Sequence, residues 1–283
     1  MMEKYIKSPM NYTGGKGKLL NQILPLFPKD INTFVDLFTG GCNVAVNVNA
    51  NKVIANDLCT QVINTYKGIQ NNDTEKAIKI IEKVINEYDL SKENKEGYLK
   101  LRKAYNDGNK EWHIFYTLLA YSFNNQIRFN KKGEFNMPFG KGRSSFNPTL
   151  KKKFEDFSNA IHNKNIKFTN NDFKKLNIDK LKDDDFVYLD PPYLVTEATY
   201  NAGWNEETEK ELLSLCDRLN DKGVKFAISN VLEHNGSKNE ILINWSKNYN
   251  VNYLDYNYSN CNYHKKDNGH KSIEVLITNY KNN

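Results

Sequence analysis

Two separated parts of this chain alternate strand-like and helix-like stretches, and that alternation most narrows what it can fold into. TFVDLFTGG (33–41) is apolar, β-rich and closed by a glycine pair, which predicts a buried strand running into a tight turn. KVIANDL (52–58) repeats the pattern and ends in an acid. After residue 165 strands fit 165–169, 185–190, 224–229, 251–256 and 273–279, with amphipathic helices at 206–222 and 237–248. Such alternation marks an α/β sheet with helices on its faces. The middle of the chain is helical instead. Asp73 or Thr74 can cap a helix whose apolar face holds Ala77, Ile80, Ile81, Val84, Ile85 and Tyr88. Further helix fits 96–106, 111–122 and 148–162, the last with Leu150, Phe154, Phe157 and Ile161 on one face, while polar, Gly-rich 124–148 reads as a hairpin or long loop. The simplest architecture is one α/β domain split by a mainly helical insertion at about 60–155.

At 283 residues the chain exceeds the usual single-domain size, which agrees with a domain carrying an insertion. Hydrophobic residues make up 39%, enough for a real core. The net charge of +6 is a modest excess, compatible with a polyanionic partner. Cys42, Cys59, Cys216 and Cys261 are scattered without a CxxC and read as reduced, space-filling thiols. His113, His162, His234, His264 and His270 show no ligand spacing, so no metal is expected. No apolar run approaches the roughly 20 residues that span a bilayer, and MMEKYIKSPM lacks the apolar centre of a signal peptide. The expected compartment is the cytoplasm, with no membrane association.

In open α/β sheets, ligands bind just beyond the carboxyl ends of the strands. Three such ends carry informative residues: Gly40 with Gly41, Asp57, and the run Asp190, Pro191, Pro192, Tyr193 in FVYLDPPYLVT. Glycines there let a ligand approach the backbone. A carboxylate after the second strand suits a ribose diol, because it accepts from both hydroxyls. A nucleoside cofactor is therefore expected. A dinucleotide dehydrogenase would carry the same acid, but FTGGCNVA does not give G-x-G-x-x-G. TGGKGKLL lacks the leading Gly and the Ser or Thr after Lys18 that a P-loop needs.

The run at the third of these strand ends invites a specific chemistry. Its prolines fix φ and have no N–H, which leaves neighbouring carbonyls free to accept hydrogen bonds. A carboxylate beside a carbonyl suits the two protons of one NH₂ group, and Tyr193 offers a ring on which a base can stack. Holding both protons of an aryl amine draws its nitrogen toward tetrahedral geometry and frees the lone pair for attack on a methyl sulfonium. A bare Asp-Pro-Pro is more often a turn. Four such residues after a buried strand, with two other ligand-type strand ends in the chain, favour function.

NYTGGKGKLL, FVDLFTGGCNVAV, ANDL, RFNKKGEFNMPFG, FVYLDPPYLVT and HKSIEVLITNY follow one another over nearly the whole chain. In this order the sequence resembles the α-group DNA adenine N-6 methyltransferases, the Dam-like family, and most of all the phage-type Dam enzymes. The resemblance implies an α/β, Rossmann-like S-adenosylmethionine-dependent methyltransferase sheet with a mainly helical inserted target-recognition domain. Residues 1–60 and 156–283 would form the catalytic domain and 61–155 the recognition domain. The implied reaction is methyl transfer from S-adenosyl-L-methionine to the exocyclic amine of a flipped adenine in double-stranded DNA, at GATC or a related short site. It implies no metal, and no obligate protein partner is evident.

Carried onto this sequence, the resemblance gives Tyr12, Lys16, Gly40, Gly41, Asp57 and Asp190 to the cofactor. Asp190, Pro191, Pro192 and Tyr193 become catalytic, with Asp190 and the Pro191 carbonyl gripping the amine. Asp172, Phe173 and Tyr193 fall where the family meets the target base. Asn11, Gln126, Arg128, Asn130, Pro138, Lys141 and Arg143 fall on DNA, with Arg128 the base-reading arginine and Pro138 near the target's thymine. Residues 126–153 hold eight basic side chains against Glu134 alone, which suits phosphate contacts, although three consecutive lysines also suit a plain solvated face. Asn11 stands where some relatives have a DNA-contacting lysine, and Gln126 where an apolar residue is common; both depart from a simple GATC pattern. Two rivals stay open. The same amine chemistry would serve RNA or cytosine, and a DNA-binding protein without catalysis is disfavoured by intact cofactor and catalytic elements.

Overall fold

The computed structural model describes residues 5–196, 203–255 and 272–281. Cys261, His264 and His270 lie outside them, as does part of the tail segment named above. The strands are β1 (Thr33–Asp36), β2 (Lys52–Asn56), β3 (Ile166–Thr169), β4 (Phe186–Leu189), β5 (Lys225–His234), β6 (Ser237–Lys238), β7 (Asn250–Leu254) and β8 (Ser272–Thr278). The helices are α1 (Leu20–Ile23), α2 (Asn43–Asn47), α3 (Thr60–Gln70), α4 (Thr74–Glu87), α5 (Lys95–Asn106), α6 (Trp112–Tyr121), α7 (Pro148–His162), α8 (Glu206–Asp221) and α9 (Glu240–Ser246). They gather into two units. One comprises Met1–Gly17, Gly40–Asn47 and Asp57–Asn170; the other comprises Lys18–Thr39, Val48–Asn56 and Asn171–Asn283.

The second unit is built on a mixed, mostly parallel α/β sheet with strand order β2-β1-β4-β5-β8-β7. β1 pairs in parallel with β2 and β4, and β4 with β5; β8 runs antiparallel to both β5 and β7. All four residues of β4 are buried, which explains why FVYL shows no polar alternation. On one side Phe27 packs edge-on to Phe186 at 4.8 Å and lies 5.4 Å from Tyr188. On the other, Leu212, Leu215, Cys216 and Leu219 of α8 join Val187, Leu189, Phe226 and Ile228. Buried Asp185 accepts from the N–H groups of Thr33 (2.9 Å) and Lys182 (3.0 Å), fixing the entry to β1 beside the entry to β4.

The first unit is mainly helical, with β3 beside α3. Asp73 caps α4 by accepting from the Lys76 N–H, Asn94 caps α5 and Asn147 caps α7 ahead of Pro148. Tyr98, Leu101, Tyr105, Phe115, Leu118 and Phe135 form the core under these helices. Gly68 of α3 lets α6 come close: a Cβ there would sit 2.1 Å from the Trp112 indole. Tyr66, also on α3, lies 5.1 Å from Phe168 of β3 and 5.4 Å from Phe157 of α7.

Several boundaries differ from the sequence expectation. α3 is a helix beyond those expected from the sequence, with Val62, Ile63, Tyr66 and Ile69 burying one helical face. On α4 the buried face takes Ile78 and leaves Ile80 half-buried. β5 continues five residues past the expected end, because Asn230–His234 pair with β8 and then with β6. Residues 237–239 therefore belong to a hairpin, and α9 starts only at Glu240. Asn235 and Gly236 form its turn with φ of 51° and 85°, the Asn-Gly pattern that suits the twist of paired strands.

Candidate active site and nucleic-acid interface

In the first unit the loop after β1 and the loop after β2 build one polar cradle. Gly40 takes a φ of +43°, and a Cβ at that position would sit 2.9 Å from the Tyr12 ring. Its N–H donates to Asp57 Oδ2 at 2.8 Å, and its carbonyl accepts from the Tyr66 hydroxyl at 2.7 Å. The other carboxylate oxygen of Asp57 accepts from the Cys59 N–H at 2.8 Å. Burial pushes the Asp57 carboxyl up from its ordinary value, and the Cys59 and Gly40 donors offset part of that rise. Gly41 is as constrained as Gly40, with Asn43 Nδ2 at 2.9 Å and Tyr12 Cβ at 3.2 Å from an added Cβ. Lys16 is buried, its Nζ donating to the Gly14 carbonyl at 3.1 Å, so it is no solvated surface lysine.

This donor set fits a nucleoside. A carboxylate offers about four lone-pair positions; two of those on Asp57 serve backbone donors, and the remainder suit a diol. The Gly40 and Gly41 backbone has room only for hydrogen where Tyr12 closes on it. Among the described residues no group of three or more His, Cys, Asp or Glu stands ready to hold a metal ion.

In the second unit Asp190 follows the last residue of β4, and the Tyr193 hydroxyl donates to its Oδ1 at 2.9 Å. The same hydroxyl lies 3.5 Å from Glu274 Oε1 on β8. Tyr193 is only 6% exposed, so its ring is covered rather than presented as an open platform. Pro191 is buried and Pro192 half-buried. Behind them the Tyr188 hydroxyl is paired with Ser229 Oγ at 2.8 Å, and Asp36 Oδ2 accepts from Thr39 Oγ1 at 3.1 Å.

Asp172 caps a single helical turn by accepting from the Lys174 N–H, which leaves it a structural task alongside any contact with a base. Phe173 is buried against Phe38 (5.6 Å between ring centroids) and Trp204 (5.9 Å). The Trp204 Nε1–H is held by Glu209 Oε2 at 2.7 Å, while Asn230 and Asn239 donate to the other oxygen. Phe38, Trp204, Glu209 and Glu274 did not emerge from the sequence. Phe38 had a signal, an aromatic inside the glycine turn, whereas Trp204, Glu209 and Glu274 depend on pairings that chain order does not reveal.

The expected DNA-facing residues lie in the first unit. Residues 122–139 form a loose hairpin with bridges Ser122–Phe139 and Phe129–Phe135. Asn130 builds its tip, accepting from the N–H groups of Lys132 and Glu134. The Arg128 guanidinium forks onto Asn136, with Nε on Oδ1 at 2.9 Å and Nη2 on the backbone carbonyl at 2.7 Å. Asn11 donates to the Asn124 carbonyl at 2.8 Å. Asn124 and Asn125 both have positive φ, 55° and 53°. Gln126 is half-buried, Pro138 and Lys141 are exposed, and the Arg143 guanidinium lies over the Phe123 ring at 5.1 Å. Of the three consecutive lysines, Lys151 pairs with Glu82 and Lys152 with Asp156. Among the described residues no helix is long and apolar enough to cross a membrane.

Comparison with known proteins bears on both site regions. The chain is 51% identical to the type II methyltransferase M.FokI of Planomicrobium okeanokoites, over 98% of this chain and 43% of that protein. It is 30% identical to the type II methyltransferase M1.LlaDCHI of Lactococcus lactis subsp. cremoris, over 96% of this chain and 94% of that protein. It is 28% identical to the DNA N-6-adenine-methyltransferase of Escherichia phage P1, over 80% of this chain and 30% of that protein. The chain thus spans less than half the length of M.FokI. Residues 12–271 match the model of the D12 class N6 adenine-specific DNA methyltransferases, an interval that runs from Tyr12 through both site regions, and the chain belongs to that family.

Proposed function

We propose that this protein transfers a methyl group from S-adenosyl-L-methionine to the N6 amine of adenine in double-stranded DNA. The observation that carries the proposal is the end of β4, where Asp190 is held by the Tyr193 hydroxyl inside a chain of this family. In this reading Asp57 accepts from the cofactor's ribose hydroxyls, Gly40 and Gly41 let it close on the backbone, and Tyr12 and Lys16 flank it. The bound cofactor supplies an electrophilic methyl on a sulfonium.

The remaining work belongs to the chain. Asp190 and the Pro191 carbonyl accept hydrogen bonds from the two amine N–H groups, which turns the nitrogen lone pair out of conjugation with the ring, and the methylated nitrogen loses its surplus proton afterwards. Adenine reaches them after leaving the stack, at a cost of a few kcal/mol. Asp172, Phe173 and Tyr193 receive it, and Tyr193 must be uncovered for its ring to stack.

Residues 61–155 serve as the target-recognition domain in this reading. Arg128 reads a guanine once it exchanges Asn136 for a base edge, with Asn11, Gln126, Asn130, Pro138, Lys141 and Arg143 around it. The target is GATC or a related short site, with Gln126 and Asn11 the positions most apt to shift it. The names of M.FokI and M1.LlaDCHI as type II methyltransferases favour a role in DNA modification beside a restriction activity.

Mapping modified bases in DNA from cells that express the protein tests base, context and activity together. N6-methyladenine in one short context is expected. Modification confined to cytosine, or unmodified DNA, overturns the proposal.

A further inference from the structure

Tyr66 stands on α3, fully buried, and the reaction as described gives it no task. Its ring centroid lies 5.4 Å from that of Phe157 on α7 and 5.1 Å from that of Phe168 on β3, so packing fixes where its hydroxyl can reach. That hydroxyl donates to the Gly40 carbonyl at 2.7 Å, and the Ser8 side chain also bonds it. Gly40 in turn donates its N–H to Asp57 Oδ2 at 2.8 Å. One residue of the cradle is therefore held at both its polar ends, by a phenol at the carbonyl and a carboxylate at the N–H. With a φ of +43° and no side chain of its own, Gly40 depends on such neighbours for its conformation.

We propose that Tyr66 is a positioning residue for the cofactor site: by pinning the Gly40 carbonyl it keeps the Gly40 N–H on Asp57, and so aims the rest of that carboxylate at the ribose. This inference rests on the nucleoside role given to Asp57 above. Glycine turns readily about φ and ψ, so an unpinned Gly40 is free to swing its N–H away from Oδ2. Asp57 then keeps the Cys59 N–H on Oδ1 but loses the donor on its other oxygen. A buried carboxylate deprived of a donor is less well oriented and harder to keep charged. The phenol suits the task, because burial holds it protonated well beyond its ordinary range and it stays a donor.

Tyr66→Phe removes the hydroxyl and keeps the ring between Phe157 and Phe168, so the packing that holds α3 is retained. Binding of S-adenosylmethionine to the full chain is followed by calorimetric titration from neutral to acid pH, with affinity read on the binding-competent fraction. Affinity at neutral pH should fall about threefold to tenfold, the weight of one hydrogen bond. The decline on acidification should also move to higher pH, because burial raises the Asp57 carboxyl and the Gly40 donor that offsets part of that rise is weakened. Cys59 and Tyr66 bear on the same carboxylate, but burial pushes both up, Cys59 to about 11, so neither changes charge in that range. A packing role alone would lower the melting temperature and leave the pH profile in place. Wild-type affinity in the variant, or weaker affinity with an unmoved pH profile, overturns the proposal and leaves the nucleoside reading intact. A wild-type protein that binds no S-adenosylmethionine overturns the nucleoside reading, and this inference with it.

Discussion

The loop after β4 and the hairpin after α6 both carry residues that the sequence marks for function, yet they use their polar groups differently. At the end of β4, the Tyr193 hydroxyl donates to Asp190 and lies near Glu274, so the residues proposed for catalysis are partners of one another. In the hairpin, Asn130 spends its side chain on its own turn, and Arg128 is held by Asn136 eight residues away. The first arrangement is organised before any substrate arrives. The second would have to change partners for Arg128 to read a base as proposed. Under the proposed function, chemistry is built into the sheet, while target choice depends on exchanges that the free protein only prepares.

Four substitutions put that contrast to the test. Asp190→Ala should lower kcat by about 10²–10³-fold, as loss of a preorganised acceptor does, with DNA binding by gel shift retained; near-wild-type turnover would remove the amine-gripping role. Asp57→Ala should weaken cofactor binding by about tenfold or more, the loss of hydrogen bonds to a charged acceptor, in a calorimetric titration. Arg128→Ala should cost about 1–3 kcal/mol of discrimination at one base pair and leave cofactor affinity alone. A uniform loss across all sequences would make Arg128 a phosphate contact instead. Lys152→Ala should change DNA affinity least, since that lysine is already paired with Asp156 on the surface.

The proposed cofactor role of Asp57 also has a pH dependence of definite sign. Burial raises the Asp57 carboxyl, so it takes up a proton at a higher pH than an ordinary carboxylate. Cofactor affinity should therefore decline on acidification earlier than an exposed aspartate would allow, and Asp57→Asn should flatten that decline.

Much of the sheet was legible because its strands are short apolar runs that stop at an acid or a glycine. β1, β2 and β4 end within a few residues of Gly40, Asp57 and Asp190 for that reason. The same local logic fails at residues 237–239, which fall inside the expected helix 237–248 but lie in the hairpin that β6 makes with β5. Glu274 escaped for a different reason: it stands 81 residues from Tyr193, and only the antiparallel pairing of β8 with β5 carries it there. The hairpin residues were named from resemblance, and nothing in their local pattern foretold that Arg128 would rest on Asn136.

The most direct test of the central claim follows the labelled methyl group. Purified protein is incubated with methyl-labelled S-adenosylmethionine and duplex DNA, the DNA is digested, and the nucleosides are separated. Label is expected in N6-methyl-2′-deoxyadenosine, with its rate of appearance lowered about 10²–10³-fold when Asp190 is replaced by alanine. Label on cytosine, or equal labelling by the variant, would contradict the central claim.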